Sequence, residues 1–162
     1  IDDFDPAAVT GQVFTKFGNR GLGEGSWGMS DASGKTFDVD DFATALIKTH
    51  SGRTIQLEVA WALHQEKKNA RNVEIYGTKA GASAFPTKIF KSGKRKGEYE
   101  IVEPQDVKPV YKGKDRHTNW INVILGKEKP VCTMEQALAV QKILDGIYKS
   151  SETGKEVRIT KK

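Results

Sequence analysis

The sequence predicts an α+β domain in which an open, predominantly antiparallel β-sheet has helices packed on one face. Three observations support this prediction. Apolar and polar residues alternate with a period of two over the first two-thirds of the chain, the last third has a helical period, and polar or glycine-rich turns separate the predicted strands. A series of strands followed by a pair of helices is typical of this fold class.

The length and composition fit one domain over residues 1–162. Hydrophobic residues make up 37% of the chain, which is enough for a core without disulfides or a structural metal. Charged residues make up 29% and no long apolar run occurs, so we expect no membrane span. The single cysteine, Cys132, excludes a disulfide framework and favours a reducing, cytoplasmic location. We expect Cys132 to be a small core residue.

The first strands are predicted from alternation and from one turn. Residues Val9 to Phe17 alternate along a strand, and Asp41–Thr49 leads through the polar turn 50–53 into a strand over Thr54–His64. The last of these strands should be half-buried, because its two faces differ in polarity. Its apolar face carries Ile55, Leu57, Val59, Trp61 and Leu63, and its other face carries Gln56, Glu58, Ala60, Ala62 and His64.

Two further hairpins are predicted in the middle of the chain, each with a turn rich in glycine and lysine. Pro86 and Pro104 lie at their ends, where proline does not interrupt strand pairing. The predicted strand pairs are Asn72–Tyr76 with Ala82–Phe85, and Lys88–Lys91 with Glu98–Val102.

Two helices are predicted in the last third of the chain. Asp115 caps a first helix that carries His117 and Trp120 and is closed by Gly126. Thr133 and Gln136 form a capping box for a second helix, which ends before Gly154. The apolar face predicted for the second helix consists of Ala137, Val140, Ile143, Leu144, Ile147 and Tyr148.

One glycine-rich segment matches a dinucleotide-binding fingerprint by letters alone. Gly23-Glu24-Gly25-Ser26-Trp27-Gly28 has the spacing G-x-G-x-x-G, but no helical period follows it. Glu24 would also place a negative charge where a pyrophosphate binds. We therefore interpret the segment as a flexible, glycine-rich loop between strands.

The net charge of +5 directs attention to a basic cluster at Lys91–Lys96, with Lys108, Lys112 and Lys114 nearby. One interpretation is a non-enzymatic interaction module that binds a polyanion through this hairpin. The other is a solvated hairpin tip whose lysines prevent edge pairing. We expect no nucleic-acid binding, because aromatic residues that stack on bases do not alternate with the lysines.

The histidines do not have the spacing of metal ligands, so we expect no metal site. His64 ends a strand and leads into a polar stretch up to Arg71, which is either a ligand-binding rim of the sheet or an ordinary solvated connection. His117 lies on the face of Ile121 and Ile124, where a buried structural histidine is common, yet it is also the best general acid–base candidate in the chain.

Several segments together carry a family resemblance through their order and spacing. They are Asp38–Ala43, Ser51–Ala62, Glu74–Ala82, His117–Ile121, Gly126–Pro130, Glu135–Ala137 and Ile143–Val157. In this order they resemble the C-terminal domain of the glucose–fructose oxidoreductase / inositol dehydrogenase / rhizopine catabolism (Gfo/Idh/MocA) family. The resemblance covers residues 9–159 and implies the dihydrodipicolinate reductase-like, or glyceraldehyde-3-phosphate dehydrogenase-like, C-terminal fold.

The resemblance implies an NAD(P)-dependent oxidoreductase that acts on a sugar, cyclitol or related polyol. In this family an N-terminal Rossmann domain binds NAD or NADP and carries a catalytic lysine in a Glu-Lys-Pro motif. Glu128-Lys129-Pro130 has the same letters but lies between the two helices, so the role is not transferred. The acid–base motif of the family would precede Ile1. The resemblance therefore implies a fragment of a longer two-domain enzyme, and we expect no catalytic residue, no cofactor-binding residue and no activity in this chain alone.

The resemblance also implies two surfaces of this chain. The candidates for substrate binding follow the strand that ends near His64, together with the first helix; they are His64, Lys67, Asn69, Arg71 and His117. Hydrogen-bond donors of these types suit sugar hydroxyls, and Arg71 could bind a carboxylate or phosphate through its two-pronged guanidinium. The candidates for a homo-oligomer interface on the open sheet face are Gln56, Glu58 and Ala60.

Overall fold

A computed structural model describes residues 3, 5–20, 39–66, 71–105 and 115–160. These residues form two compact units. The first unit takes the described parts of 1–64 and 128–162, and the second takes those of 65–127. In chain order the elements are β1 (Pro6–Phe14), β2 (Phe42–Thr49), β3 (Thr54–Ala60), β4 (Glu74–Tyr76), β5 (Gly81–Ala84), β6 (Thr87–Ser92), β7 (Tyr99–Val102), α1 (Arg116–Ile124), α2 (Met134–Thr153) and β8 (Val157–Arg158).

The described strands form two antiparallel sheets, which confirms the α+β class. The first unit contains the order β3-β2-β1-β8 and the second contains β4-β5-β6-β7. All three predicted hairpins are present. The sequence pattern predicted a single sheet, because it locates hairpins but does not show which hairpins pair with each other.

Two strands end earlier than their alternation predicts. The strand predicted to reach Phe17 ends at Phe14, and the one predicted to reach His64 ends at Ala60. The exposed fraction of Ile55 is 47% and that of Val59 is 55%, so only Leu57 on that face packs against the core. Alternation records the polarity of side chains, whereas the ends of these strands depend on hydrogen bonds from residues elsewhere in the chain.

The core of the first unit lies between β1, β2 and α2. Val9, Ala45, Ile47 and Ile147 are its buried members. The buried face of α2 differs from the predicted one, because small residues allow the helix to lie close to the sheet. Ala139, Gly146, Ile147 and Ser150 are buried, whereas Val140, Leu144 and Tyr148 are about half exposed. Of the predicted apolar face, Ile143 and Ile147 pack in the core.

Two serines of α2 satisfy the free edge of β1. The short strand β8 pairs with Ala8 and Val9, and it was not predicted because two residues carry no period. Beyond it, the Ser150 Oγ accepts a hydrogen bond from the Gly11 N–H at 3.0 Å and donates one to the Lys155 carbonyl at 2.7 Å. The Ser151 Oγ accepts from the Val13 N–H at 3.2 Å. The backbone donors of β1 therefore find partners without a longer strand.

The Ser150→Ala variant should lose about 2 kcal/mol of unfolding free energy, because it removes the buried hydroxyl that pairs with both the Gly11 N–H and the Lys155 carbonyl. Ser150 is 1% exposed, so water cannot replace the hydroxyl. Urea denaturation of the purified chain measures the loss. Ser151→Ala is the matched control, since Ser151 is only partly buried and water can take its place. Equal losses in the two variants would contradict this explanation.

Both predicted N-caps are confirmed, and so is the glycine predicted to end the second helix. The Asp115 carboxylate accepts hydrogen bonds from the His117 and Thr118 N–H groups at 2.8 and 2.9 Å. Thr133 and Gln136 form the capping box of α2, and Gly154 ends that helix in the left-handed conformation with φ of 65°. Among the described helices, none combines the length and the apolar composition that crossing a membrane requires.

Candidate functional site

The best-defined polar cluster in the first unit surrounds a buried carboxylate at the start of β2. Asp41 is 1% exposed, and its Oδ2 accepts hydrogen bonds from the N–H groups of Lys16 at 2.5 Å, Phe17 at 2.5 Å and Gly18 at 3.2 Å. Burial alone would raise the pKa of Asp41, but these donors outweigh it and hold the pKa below its ordinary value. The carboxylate therefore fixes the turn that follows β1.

The neighbouring Asp40 binds Trp61, which follows β3, and Tyr148, which belongs to α2. The Trp61 indole Nε1 donates to the Asp40 carbonyl at 2.8 Å, and the Trp61 N–H donates to the Asp41 carbonyl at 3.1 Å. The Tyr148 hydroxyl donates to Asp40 Oδ1 at 2.5 Å, and this bond raises the pKa of Tyr148. The Asp40–Asp41 pair thus holds three separate chain segments together.

His64 lies next to this cluster, on the ring of Phe17. The two ring centroids are 4.9 Å apart at an interplanar angle of 72°, an edge-to-face contact. His64 is exposed, whereas Ala62, two residues before it, is 3% exposed. The chain is therefore anchored just before the histidine, and the imidazole is presented at the surface against one aromatic face.

The remaining substrate-site candidates are distributed over the chain. Arg71 and His117 belong to the second unit and are exposed. The side chain of His117 is 79% exposed in the first turn of α1, with its Nδ1 3.7 Å from Asp115 Oδ1, so the alternative of a buried structural histidine is wrong. The predictions for Lys67 and Asn69 lie outside the described residues, as does that for the glycine-rich loop.

Cys132 is exposed, which corrects the prediction that it is a core residue. It precedes the N-cap Thr133 by one residue, and this position lies outside the packed face of α2. Within the described residues, no group of three or more histidine, cysteine or carboxylate side chains could hold a metal ion.

The open face of the first sheet carries the oligomer-interface candidates. Strand register places Gln56 beside Leu46 and Thr10, Glu58 beside Thr44 and Gln12, and Ala60 beside Phe42 and Phe14. The rings of Phe14 and Phe42 stack with their centroids 5.7 Å apart. Gln56, Glu58 and Ala60 are all exposed. This face therefore combines small polar residues with an aromatic pair at one end.

The basic hairpin, Lys91–Lys96 between β6 and β7, carries acidic partners. Lys91 pairs with Glu100 at 3.1 Å, and Lys88, on the same strand, pairs with Glu103 at 2.7 Å. The Glu98 carboxylate accepts a hydrogen bond from the Arg95 N–H at 3.0 Å. These carboxylates reduce the positive potential that a polyanion would meet, which favours the interpretation as a solvated tip.

A family model described as "Oxidoreductase family, C-terminal alpha/beta domain" matches residues 11–159. The chain belongs to the Gfo/Idh/MocA oxidoreductase family. It is 28% identical over 152 residues to the D-glucoside 3-dehydrogenase of Escherichia coli K12, covering 94% of this chain and 42% of that protein. The family resemblance found in the sequence is thereby confirmed.

Solved structures of oxidoreductases share the fold. An oxidoreductase domain protein from Kribbella flavida aligns with a TM-score of 0.68 at 18% identity, over 96% of this chain and 46% of that one. A levoglucosan dehydrogenase, in complex with NADH and levoglucosan, aligns with a TM-score of 0.64 at 15% identity, over 97% of this chain and 46% of that one. The chain thus spans less than half the length of these proteins.

The sequence patterns predicted His64 as a candidate but did not predict its contact with Phe17 or the bond from Phe17 to Asp41. Asp41 and Phe17 are far from His64 along the chain, and the segment Asp38–Ala43 entered the family resemblance without a role for Asp41. The one available signal was the pair of adjacent aspartates before a predicted strand, since two carboxylates there have no role in strand pairing.

Proposed function

We propose that this chain is the substrate-side domain of a longer NAD(P)-dependent dehydrogenase that oxidises a sugar, cyclitol or related polyol. The observation that carries the proposal is the match of the C-terminal domain model to residues 11–159. The D-glucoside 3-dehydrogenase relative and the levoglucosan dehydrogenase fold neighbour support a carbohydrate substrate. The Rossmann domain of the same protein is the proposed partner of this chain.

The cofactor in this proposal is NAD or NADP, bound by the N-terminal domain. When bound there, this cofactor would supply hydride exchange with a carbinol carbon of the substrate. The levoglucosan dehydrogenase neighbour was solved with NADH, which supports this cofactor class. The residues of this chain bind and orient the polyol, and proton transfer belongs to residues outside it. The chain on its own should therefore be inactive.

The proposed substrate rim consists of His64, Lys67, Asn69, Arg71 and His117. His64, Arg71 and His117 are exposed, as side chains that meet a ligand must be before it binds. Imidazole, ammonium, amide and guanidinium groups together donate and accept the hydrogen bonds that a polyhydroxyl substrate requires. Specificity then comes from hydrogen bonds that an analogue lacking one hydroxyl leaves unpaired.

The enzymatic proposal is tested on the full-length protein and on the isolated chain with the same assay. Formation of reduced nicotinamide is followed with NAD or NADP and a panel of glucosides, anhydrosugars and cyclitols. The full-length protein should oxidise at least one of them and the isolated chain none. A folded full-length protein that oxidises none, while the isolated chain binds heparin and loses that binding on neutralisation of Lys94 and Lys96, would favour the polyanion-binding alternative.

In the full-length protein, Lys67→Ala and Arg71→Ala should each lower kcat/KM about tenfold or more, mainly through KM, because each removes a charged hydrogen-bond donor from the bound substrate. Steady-state kinetics with the best substrate of the panel measure the effect. Lys94→Ala is the matched control, since Lys94 lies in the hairpin turn between β6 and β7, which carries none of the rim candidates. Unchanged kinetics in both rim variants would remove these residues from the site.

We also propose that the open face of the first sheet forms a homo-oligomer interface through Gln56, Glu58 and Ala60. Its exposed polar side chains and Ala60 suit flat packing against a second copy, and Leu46 adds an exposed apolar contact.

Sedimentation equilibrium should therefore detect a concentration-dependent dimer, and Leu46→Lys should weaken it at least about tenfold by burying a charge in the interface. Leu138→Lys, at a comparably exposed leucine on α2, is the control and should leave the dimer intact. A wild-type chain that stays monomeric at high concentration would contradict the interface.

A further inference from the structure

We propose that Asp41 is a positioning residue for His64 and that it acts through Phe17. This inference rests on the proposed role of His64 in the substrate rim, and it adds two residues to that site. Neither Asp41 nor Phe17 needs to touch the substrate. Their role is to fix the direction of an imidazole that does.

The first step is that the Asp41 carboxylate stabilises the turn after β1 through hydrogen bonds. The strand ends at Phe14, and the N–H groups of the next residues pair with none of the strands that the structure describes. The Asp41 carboxylate accepts three of them, from Lys16, Phe17 and Gly18. The Asp41 N–H in turn donates to the Phe14 carbonyl at 2.8 Å. The backbone of Phe17 is therefore fixed by one buried side chain.

The second step is that the same aspartate holds the segment that leads to His64. The Asp41 carbonyl accepts the Trp61 N–H at 3.1 Å, and Ala62 is buried immediately afterwards. Asp41 therefore lies between the two segments that carry Phe17 and His64, with its side chain on one and its backbone on the other. A change at its carboxylate alters the first segment while it leaves the backbone bond to the second in place.

The third step is the contact between the two rings. The Phe17 ring meets the imidazole at 4.9 Å and 72°, which restricts rotation of His64 about its side-chain torsions. The ring nitrogens of His64 make no hydrogen bond or ion pair with the described residues. The imidazole is thus oriented by the aromatic contact while its nitrogens stay available to a ligand. A donor oriented before binding loses less side-chain freedom when the ligand arrives.

The test follows the ring-current shift of His64 in the chain without substrate. Histidine side chains are labelled with ¹³C, and His64→Gln identifies the His64 resonance among the three histidines. Phe17→Leu should move that resonance to the position of a freely exposed histidine, and Asp41→Asn should move it in the same direction although Phe17 is intact. Phe17→Tyr should keep the wild-type position.

Two controls separate positioning from loss of stability. Ser150→Ala lowers stability at the other side of β1 and should leave the His64 resonance unchanged. Asp115→Asn removes a comparable capping carboxylate in the second unit and should move the resonance of His117 alone. A His64 resonance that moves in Phe17→Leu but not in Asp41→Asn overturns the inference, and so does one that moves in neither.

If Asp41→Asn is too unstable to purify, the wild-type chain supplies the second measurement. Amide hydrogen exchange at Phe17 and the ring-current shift of His64 are followed at urea concentrations below the unfolding transition. The protection of the Phe17 amide from exchange and the ring-current shift of His64 should be lost at the same urea concentration. Loss of one while the other persists overturns the inference.

In the full-length protein, Phe17→Leu should raise KM about tenfold with a smaller change in kcat. Phe17→Tyr keeps an aromatic ring at this position and should have the KM of the wild type. If the shifts in the free chain behave as expected but no sugar or polyol is turned over, the proposed function fails and the positioning of His64 stands.

Discussion

Asp41→Asn should lower the free energy of unfolding by about 3 kcal/mol at neutral pH, the larger of the polar effects expected in this chain. The asparagine oxygen can still accept hydrogen bonds from Lys16, Phe17 and Gly18, but it has no charge, and each such bond loses about 1 kcal/mol. The new amide nitrogen would take the place of Oδ1, which has no hydrogen-bond partner among the described residues. A buried donor without a partner adds to the loss.

The pH dependence of this difference has a definite sign. The folded state lowers the pKa of Asp41, so its contribution to stability is fully present above the unfolded pKa of about 3.9 and is lost as the pH falls through the folded value. The wild type and the variant should therefore differ most near neutral pH and converge in acid. Urea denaturation of both proteins at about pH 7 and below about pH 3 measures this.

Asp115→Asn is the control for the change from carboxylate to amide. Asp115 caps α1 at an exposed position, where water can hydrate the free N–H groups, and the expected loss is only about 0.5 kcal/mol. If the two variants lost equal stability, or if the Asp41 difference grew as the pH fell, the buried carboxylate would not be what holds the turn.

Local sequence signals account for most of the elements of this fold. Asp115, Thr133 and Gly154 act within a few residues of their own positions, so a single helix end contains all the information needed to predict them. The hairpins are equally local, because two alternating segments and the turn between them are contiguous. The division of the strands between two sheets involves contacts between distant segments, and no local pattern predicts it.

The candidate site could be predicted only in outline, for the same physical reason. A polar residue at the end of a predicted strand makes His64 a rim candidate, but the ring that contacts it, that of Phe17, lies in the turn after a different strand, β1. Asp41 looks like the polar start of β2 in the sequence, and its importance depends on backbone donors more than twenty residues away. Motif spacing describes side chains that act together along one segment of the chain. Phe17, Asp41 and His64 instead belong to three separate segments.

The packing of α2 against β1 also depends on residues that are far apart in the sequence. Gly146→Ala should therefore lower the free energy of unfolding by about 2 kcal/mol. A Cβ at Gly146 would lie far inside van der Waals contact with Cγ1 of Val9. Val9 is fully buried and β-branched, so its side chain cannot rotate away, and the helix and β1 must separate. Alanine gains about 1 kcal/mol of helix propensity over glycine, which offsets only part of an overpacking cost of about 3 kcal/mol.

A double-mutant cycle tests whether the clash with Val9 causes the loss of stability in Gly146→Ala. Val9→Ala alone should cost about 2 kcal/mol by leaving a cavity, and in that background Gly146→Ala should become stabilising, because its methyl group occupies the space that Val9 vacates. Gly154→Ala is the control: it should be destabilising through its positive φ in both backgrounds, since no atom outside the adjacent residues lies within 4 Å of a Cβ there. Equal losses for Gly146→Ala in both backgrounds would mean that glycine is required for another reason. A reversal of sign would show that the absence of one methyl group determines how closely α2 lies against β1. This close packing explains why Ala139, Gly146 and Ser150 are buried on the helix although a hydrophobic period does not detect them.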